Sequence, residues 1–251
     1  MTIAKAFRPI TATLALAAAA ALGGCQNAEI SFNGEEGVPL SELDMTGDAP
    51  TEIALMGPDK IVMVEGSAPS IEVEGDNSDN LRFVFEDGSL GILRENNSWS
   101  GSAATITVTM PLPEDITVAG SGTVIAPGMA RDAEISIAGS GTLRVERIAA
   151  DSLDLTIAGS GDVEIASGTV RELEISVMGS GDADLRGVKA DSADVTIAGS
   201  GDAAFASDGD VDVSIMGSGD VTVRGNANCT VETHGSGTVT CERTPEAETA
   251  S

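Results

Sequence analysis

Ten of the 40 acidic residues of this sequence fall into two columns once the chain is aligned on a recurring Gly-Ser-Gly tripeptide. Five residues before the first glycine stand Asp115, Glu134, Asp154, Glu174, Asp194 and Asp212. Three residues after it stand Asp162, Asp182, Asp202 and Asp220, in a column that also holds Thr123, Thr142 and Thr238. Carboxylates are the hard ligands that Ca2+ takes, and glycine-aspartate turns line calcium sites in nonapeptide β-rolls, so Asp162, Asp182, Asp202 and Asp220 are the metal candidates. The nonapeptide period is missing, however, and each repeat supplies one Asp at this corner. The alternative is that each corner carboxylate accepts backbone N–H groups at its turn while the other column is a solvated strand face. No other cofactor is indicated.

Paired carboxylates also cleave glycosidic bonds. Strands stacked about 4.8 Å apart would place neighbouring carboxylates near the retaining separation and alternate ones near the inverting separation. Against catalysis stands the sameness of the columns, because an active site is a local irregularity. The sequence is also poor in sugar-stacking rings, with Trp99, five Phe and no Tyr, and it has no basic cluster for acidic sugars. His234, the only histidine, sits in a column otherwise filled by Ala119, Ala138, Ala158, Met178, Ala198 and Met216, and reads as a surface residue of the last repeat. The reading is therefore a non-enzyme, with a carbohydrate-active β-helix enzyme as the alternative of a different class.

Cys229 and Cys241 lie six residues either side of Gly235, in columns that are apolar in other repeats. Both are expected to point inward, and in an exported protein they form a candidate disulfide stapling the last repeat. The competing reading is two buried thiols, since packed sheets about 10 Å apart exceed disulfide reach unless the repeat tapers.

What positions these residues is the repeat itself. Gly-Ser-Gly begins at Gly120, Gly139, Gly159, Gly179, Gly199, Gly217 and Gly235, at intervals of 18 to 20 residues. Before each corner the residues alternate, apolar at Ile116, Ile135, Leu155, Ile175, Val195 and Val213, hydroxyl-bearing at Thr117, Ser136, Thr156, Ser176, Thr196 and Ser214. Period-2 alternation marks a strand with one buried face, and a second strand follows each corner. So narrow an apolar face is buried only by stacking repeat on repeat. The fold class is all-β: a right-handed parallel β-helix, or solenoid, with 18-20-residue rungs and Gly-Ser-Gly corners. Residues 50–243 form this domain, 111–243 as regular rungs and 50–110 as less regular rungs or an amino-terminal cap. Residues 244–251 read as a disordered tail.

Lys5 and Arg8 precede an apolar run from Ile10 to Leu22, too short to span a bilayer as a helix, so residues 1–24 read as a signal peptide. The run closes Leu22-Gly23-Gly24-Cys25, which resembles the bacterial lipobox, and implies lipidation of Cys25 and a partner in the membrane through that lipid. Gln26 stands where the lipoprotein sorting rule would put Asp for inner-membrane retention, which points to the outer membrane. Residues 25–49 read as a flexible tether. Removing residues 1–24 takes away two basic side chains and moves the formal charge from −27 to −29. A chain this acidic is repelled by phosphate backbones, which excludes nucleic acid as a partner.

The strand ending Val108-Thr109-Met110-Pro111, the segment Ile116-Thr117-Val118-Ala119-Gly120-Ser121-Gly122 and the strand–Gly-Ser-Gly–strand units to about residue 240 resemble the putative auto-transporter adhesin, head GIN domain family. The resemblance implies a β-helical, secreted or surface-attached domain with an adhesive role and brings no catalytic motif. The expected function is a lipid-anchored envelope module that binds or supports, without catalysis, with an envelope or extracellular protein or polysaccharide as partner. A Ca2+-stabilised binding solenoid is the other alternative.

Overall fold

The computed structural model describes residues 32, 34, 35, 37–75, 78–95 and 102–242. The expected signal peptide at 1–24, Cys25, Trp99 and the tail at 244–251 lie outside the described residues.

Six strands make the amino-terminal part: β1 (Glu52–Gly57), β2 (Lys60–Glu65), β3 (Ser70–Glu74), β4 (Leu81–Glu86), β5 (Ser89–Arg94) and β6 (Thr105–Met110). Thirteen follow: β7 (Asp115–Gly120), β8 (Thr123–Ala126), β9 (Asp132–Gly139), β10 (Thr142–Val145), β11 (Ile148–Gly159), β12 (Asp162–Ile165), β13 (Gly168–Gly179), β14 (Ala183–Gly199), β15 (Ala203–Ser207), β16 (Asp210–Gly217), β17 (Asp220–Arg224), β18 (Asn228–Gly235) and β19 (Thr238–Glu242). They stack as a parallel β-solenoid with rungs of about 20 residues.

One ladder runs β5-β1-β7-β9-β11-β13-β14-β16-β18, all parallel. The second runs β6-β2-β8-β10-β12, then the start of β14, β15, β17 and β19. The inward columns are the alternating aliphatics: Ile116, Ile135, Leu155, Ile175 and Val195 are all at most 1% exposed. Burying such a side chain stabilises by about 1.5–3 kcal/mol, so the continuous core between the ladders, shared by every rung, is what holds the stack together.

Rung order in space departs from rung order in sequence. The rung formed by β1 and β2 lies between the rung of β5 and β6 and that of β7 and β8. The chain therefore lays down one rung, adds another on its outer side, then crosses to resume the stack. The amino-terminal end is closed by antiparallel strands, β3 on β6 and β4 on β5, which end the parallel ladder. Residues 50–110 are thus both rungs and cap.

In the first-formed rung the corner is Gly57-Pro58-Asp59, with Gly57 in register with Gly120. Asp59 is 1% exposed and accepts hydrogen bonds from Arg94 Nε at 2.8 Å, Arg94 Nη2 at 2.5 Å and the Ala104 amide at 2.8 Å. A buried carboxylate is tolerated only when paired and hydrogen-bonded in this way, and the pair ties the first rung to the one beneath it.

The tether expected over 25–49 is corrected in its second half. Val38 exchanges backbone hydrogen bonds with Phe83, and Leu40 and Leu43 pack against the core. The backbone bridge of Val38 to Phe83 of β4 and the partly buried Leu40 and Leu43 make this stretch part of the cap.

Candidate functional site

At the regular corners each rung sits on the one before through the backbone. The Ser200 amide donates to Gly179 O at 2.7 Å, and the same bond recurs at Ser140, Ser160, Ser180, Ser218 and Ser236. The serine contributes its main chain, and its side chain is exposed at Ser160, Ser180 and Ser200. Gly199 has φ +144°, and a Cβ there would lie 2.0 Å from Gly179 O. Gly201 lacks the unusual φ, yet its Cβ would lie 2.1 Å from Gly181 O. Both glycines are demanded by the stacking distance, and the first also by its conformation.

This stacking turns the two sequence columns into two acidic ladders of different character. In the corner ladder, Asp162 Oδ1 accepts the Asp182 amide at 3.4 Å, Asp182 Oδ1 the Asp202 amide at 3.0 Å, and Asp202 Oδ1 the Asp220 amide at 2.9 Å. Asp220 Oδ1 accepts the Thr238 amide at 3.0 Å as well as the Thr238 hydroxyl. That hydroxyl and amide hold the Asp220 carboxyl below its usual range. Each corner aspartate therefore caps the next rung. Among the described residues, no group of three or more His, Cys, Asp or Glu is placed to hold a metal ion.

The strand ladder has no such donors from rung to rung. Register aligns Glu52, Asp115, Glu134, Asp154, Glu174, Asp194 and Asp212 on the outward face of the first ladder. Glu52 is an addition to the sequence columns: it stands five residues before Gly57, the spacing seen at every Gly-Ser-Gly corner, but without the tripeptide to flag it. Burial, then the charges of Glu134 and Glu52, push the Asp115 carboxyl up to about 7, against the lowering effect of a hydrogen bond from Thr117 Oγ1 at 3.1 Å. Asp154 is raised by burial and by Glu134, and Glu174 by the charge of Asp154, by burial and by Asp194. Five of the basic side chains along the regular rungs are committed elsewhere: Arg131 and Arg171 to Asp151, Arg144 to Glu164, Lys189 to Asp208 and Arg224 to Glu242. Among the described residues, none of the ion pairs reaches the strand ladder.

Beside that ladder run two more outward columns. One is Thr117, Ser136, Thr156, Ser176, Thr196 and Ser214; the other is Ala119, Ala138, Ala158, Met178, Ala198 and Met216, of which Met178 and Met216 are more than half exposed. The result is a regular face of carboxylate, hydroxyl and small apolar stripes. Two shallow clefts lie at the amino-terminal cap, one lined by Pro39, Leu40, Val73, Asp79, Leu81 and Phe83, the other by Thr46, Asp48, Phe85 and Asp87. Neither touches either ladder. His234 ends the Ala/Met column, exposed, with no carboxylate hydrogen-bonded to it among the described residues.

Cys229 of β18 and Cys241 of β19 form a disulfide with Cα atoms 6.8 Å apart. Their columns point inward, yet Cys229 is only half-buried and Cys241 exposed, and the competing reading of two buried thiols does not hold. No further rung covers them among the described residues.

Stacked parallel rungs of this kind define a β-solenoid. The chain belongs to the family described as putative auto-transporter adhesin, head GIN domain, whose model matches residues 49–227. It is similar in fold to the crystal structure of a putative adhesin from Bacteroides fragilis NCTC 9343, at 18% identity and a TM-score of 0.69, covering 77% of this chain and 93% of that one. It is similar to a putative lipid binding protein from Parabacteroides distasonis ATCC 8503, at 25% identity and a TM-score of 0.59, covering 77% and 93%. A putative adhesin from Parabacteroides merdae ATCC 43184 is similar at 17% identity and a TM-score of 0.58, covering 78% and 93%. No curated protein matches the chain.

Proposed function

We propose that this protein is a lipid-anchored module of the bacterial envelope that binds an extended partner, without catalysis, on the outward face of its first ladder. The observation that carries the reading is the strand ladder itself: carboxylates from Glu52 to Asp212, joined by no ion pair among the described residues and flanked by hydroxyl and small apolar stripes. A repeating face suits a repeating ligand, and its field selects positive charge. The partner class is a cationic, hydroxyl-rich polymer, a polysaccharide or an extended basic protein segment. The adhesin descriptions of the family and of its structural relatives agree with a binding role.

The probe is immobilised chitosan. The protein is expected to bind it in a salt-sensitive manner, and the variant Asp154→Asn/Glu174→Gln/Asp194→Asn to lose affinity about tenfold or more. Asp162→Asn/Asp182→Asn/Asp202→Asn should leave affinity within about threefold, because those carboxylates are occupied by backbone amides. Equal loss in both variants would overturn the assignment of the face. Anchoring is tested separately by metabolic labelling with radioactive palmitate: incorporation should vanish in Cys25→Ser, and label that survives the substitution would remove the lipid from the account.

A further inference from the structure

We propose that the carboxy-terminal rung docks a second copy of this chain, the two molecules meeting tail to tail with their β18 strands antiparallel. The two ends of the solenoid are unlike. Antiparallel strands close the amino-terminal end, whereas among the described residues β18 pairs only with β16 and β19 only with β17. Val231 continues a column of buried aliphatics but is 44% exposed. An open edge backed by apolar surface is a template for strand addition. The Cys229–Cys241 disulfide ties its two strands together, so the edge is held in place for a partner.

Charge identifies the partner as a like copy. Both acidic ladders stop at threonine in this rung: Asp212 is followed by Thr230 and Asp220 by Thr238. A second copy thus approaches this end without prolonging either row of carboxylates. Residues 243–251, Arg-Thr-Pro-Glu-Ala-Glu-Thr-Ala-Ser, carry no branched aliphatic or aromatic side chain with which to cover Val231.

The backbone sets the register. The Asn228 amide donates to Gly209 O and the Ser236 amide to Gly217 O, so the even-numbered residues of β18 face β16. The N–H and C=O groups of Cys229, Val231, Thr233 and Gly235 therefore point to the open side. Antiparallel pairing about a two-fold axis at Thr233 satisfies these groups reciprocally. It places Glu232 opposite the second copy's His234, and His234 opposite its Glu232, at the closer, non-hydrogen-bonded positions of the ladder. Such an isologous contact closes on itself, and the capped opposite ends stop assembly at two.

Sedimentation equilibrium of the full chain in density-matched detergent tests this. The wild type is expected to reach twice the chain mass. Glu232→Lys and His234→Glu should each weaken association about tenfold or more, and the two combined should restore it to within about threefold, because the swapped charges again face each other. Thr233→Pro, which removes an amide pointing away from β16, should leave the far-ultraviolet circular dichroism unchanged and the protein monomeric. A wild type that stays monomeric at about 100 μM, single reversals without effect, or a double variant that fails to recover would overturn the proposal. So would dimerisation that appears only after removal of residues 243–251, which would make the tail the occupant of this edge.

Discussion

Gly199→Ala is expected to destabilise the folded chain by about 4 kcal/mol, while Ser200→Ala next to it changes stability by less than about 0.5 kcal/mol. Two costs combine at Gly199. Its φ of +144° lies where an L side chain is strained, and the added Cβ would sit 2.0 Å from Gly179 O of the preceding rung. That oxygen is fixed, because it accepts the Ser200 amide that defines the rung spacing. Relief therefore means separating two rungs and losing aliphatic contacts along both. Ser200, by contrast, keeps its amide bond in the variant, and its side chain is exposed. Because each rung leans on its neighbours, the loss should appear as a lower urea midpoint and as amide exchange spreading from β13 and β14. A Gly199→Ala chain within about 1 kcal/mol of wild type would show that the corner tolerates a side chain and that the glycines are not fixed by stacking.

Lowering the pH from 8 to 5 is expected to stabilise the protein, and Asp115→Asn to remove much of that dependence. The folded carboxyl of Asp115 is raised from 3.8 to about 7 by burial and by Glu134 and Glu52. Between those values the folded chain holds a proton that the unfolded chain has released. The stabilisation is complete below about pH 4 and is lost as pH rises through about 7. At about 1.4 kcal/mol per unit, the full shift sets an upper bound near 4 kcal/mol, and screening and relaxation bring the expected effect to about 2–3 kcal/mol. At pH 8 the neutral amide of Asp115→Asn avoids the buried charge and still accepts from Thr117, so this variant should be more stable than wild type by about that amount. Denaturation at several pH values reads both quantities. A variant with the wild-type slope, or one less stable at pH 8, would show that the ladder's mutual repulsion is relieved some other way.

The regular part of the fold was legible because its signals are local and periodic. Alternating aliphatics, hydroxyl residues and carboxylates keep their place relative to each Gly-Ser-Gly, so a column in the alignment is a column in space, as the register of Leu155 with Ile135 and Ile175 shows. The amino-terminal part was not legible in the same way. Its corner Gly57-Pro58-Asp59 depends on Arg94 and Ala104, 35 and 45 residues away, and no local spacing announces that β1 will lie between β5 and β7. Glu52 escaped notice for that reason. Val38, Leu40 and Leu43 were hidden in a polar, glycine-containing stretch, and what they meet, the Phe83 backbone for Val38 and the core for Leu40 and Leu43, lies far along the chain. For the site, the sequence supplied both acidic ladders but not the distinction between them. That difference comes from where the next rung's amides point: they meet Asp162, Asp182, Asp202 and Asp220, while the strand ladder faces outward. The inward direction of Cys229 and Cys241 was readable, but their exposure was not, because it follows from the missing neighbour above the last rung.

The most direct test of the binding face is carboxylate footprinting, in which carbodiimide-activated labelling with glycine ethyl ester is read by mass spectrometry in the presence and absence of soluble chitosan oligomers. The ligand is expected to protect Glu134, Asp154, Glu174 and Asp194 together while Asp162, Asp182 and Asp202 label equally in both conditions. Protection of the corner aspartates, or of neither ladder, would contradict it.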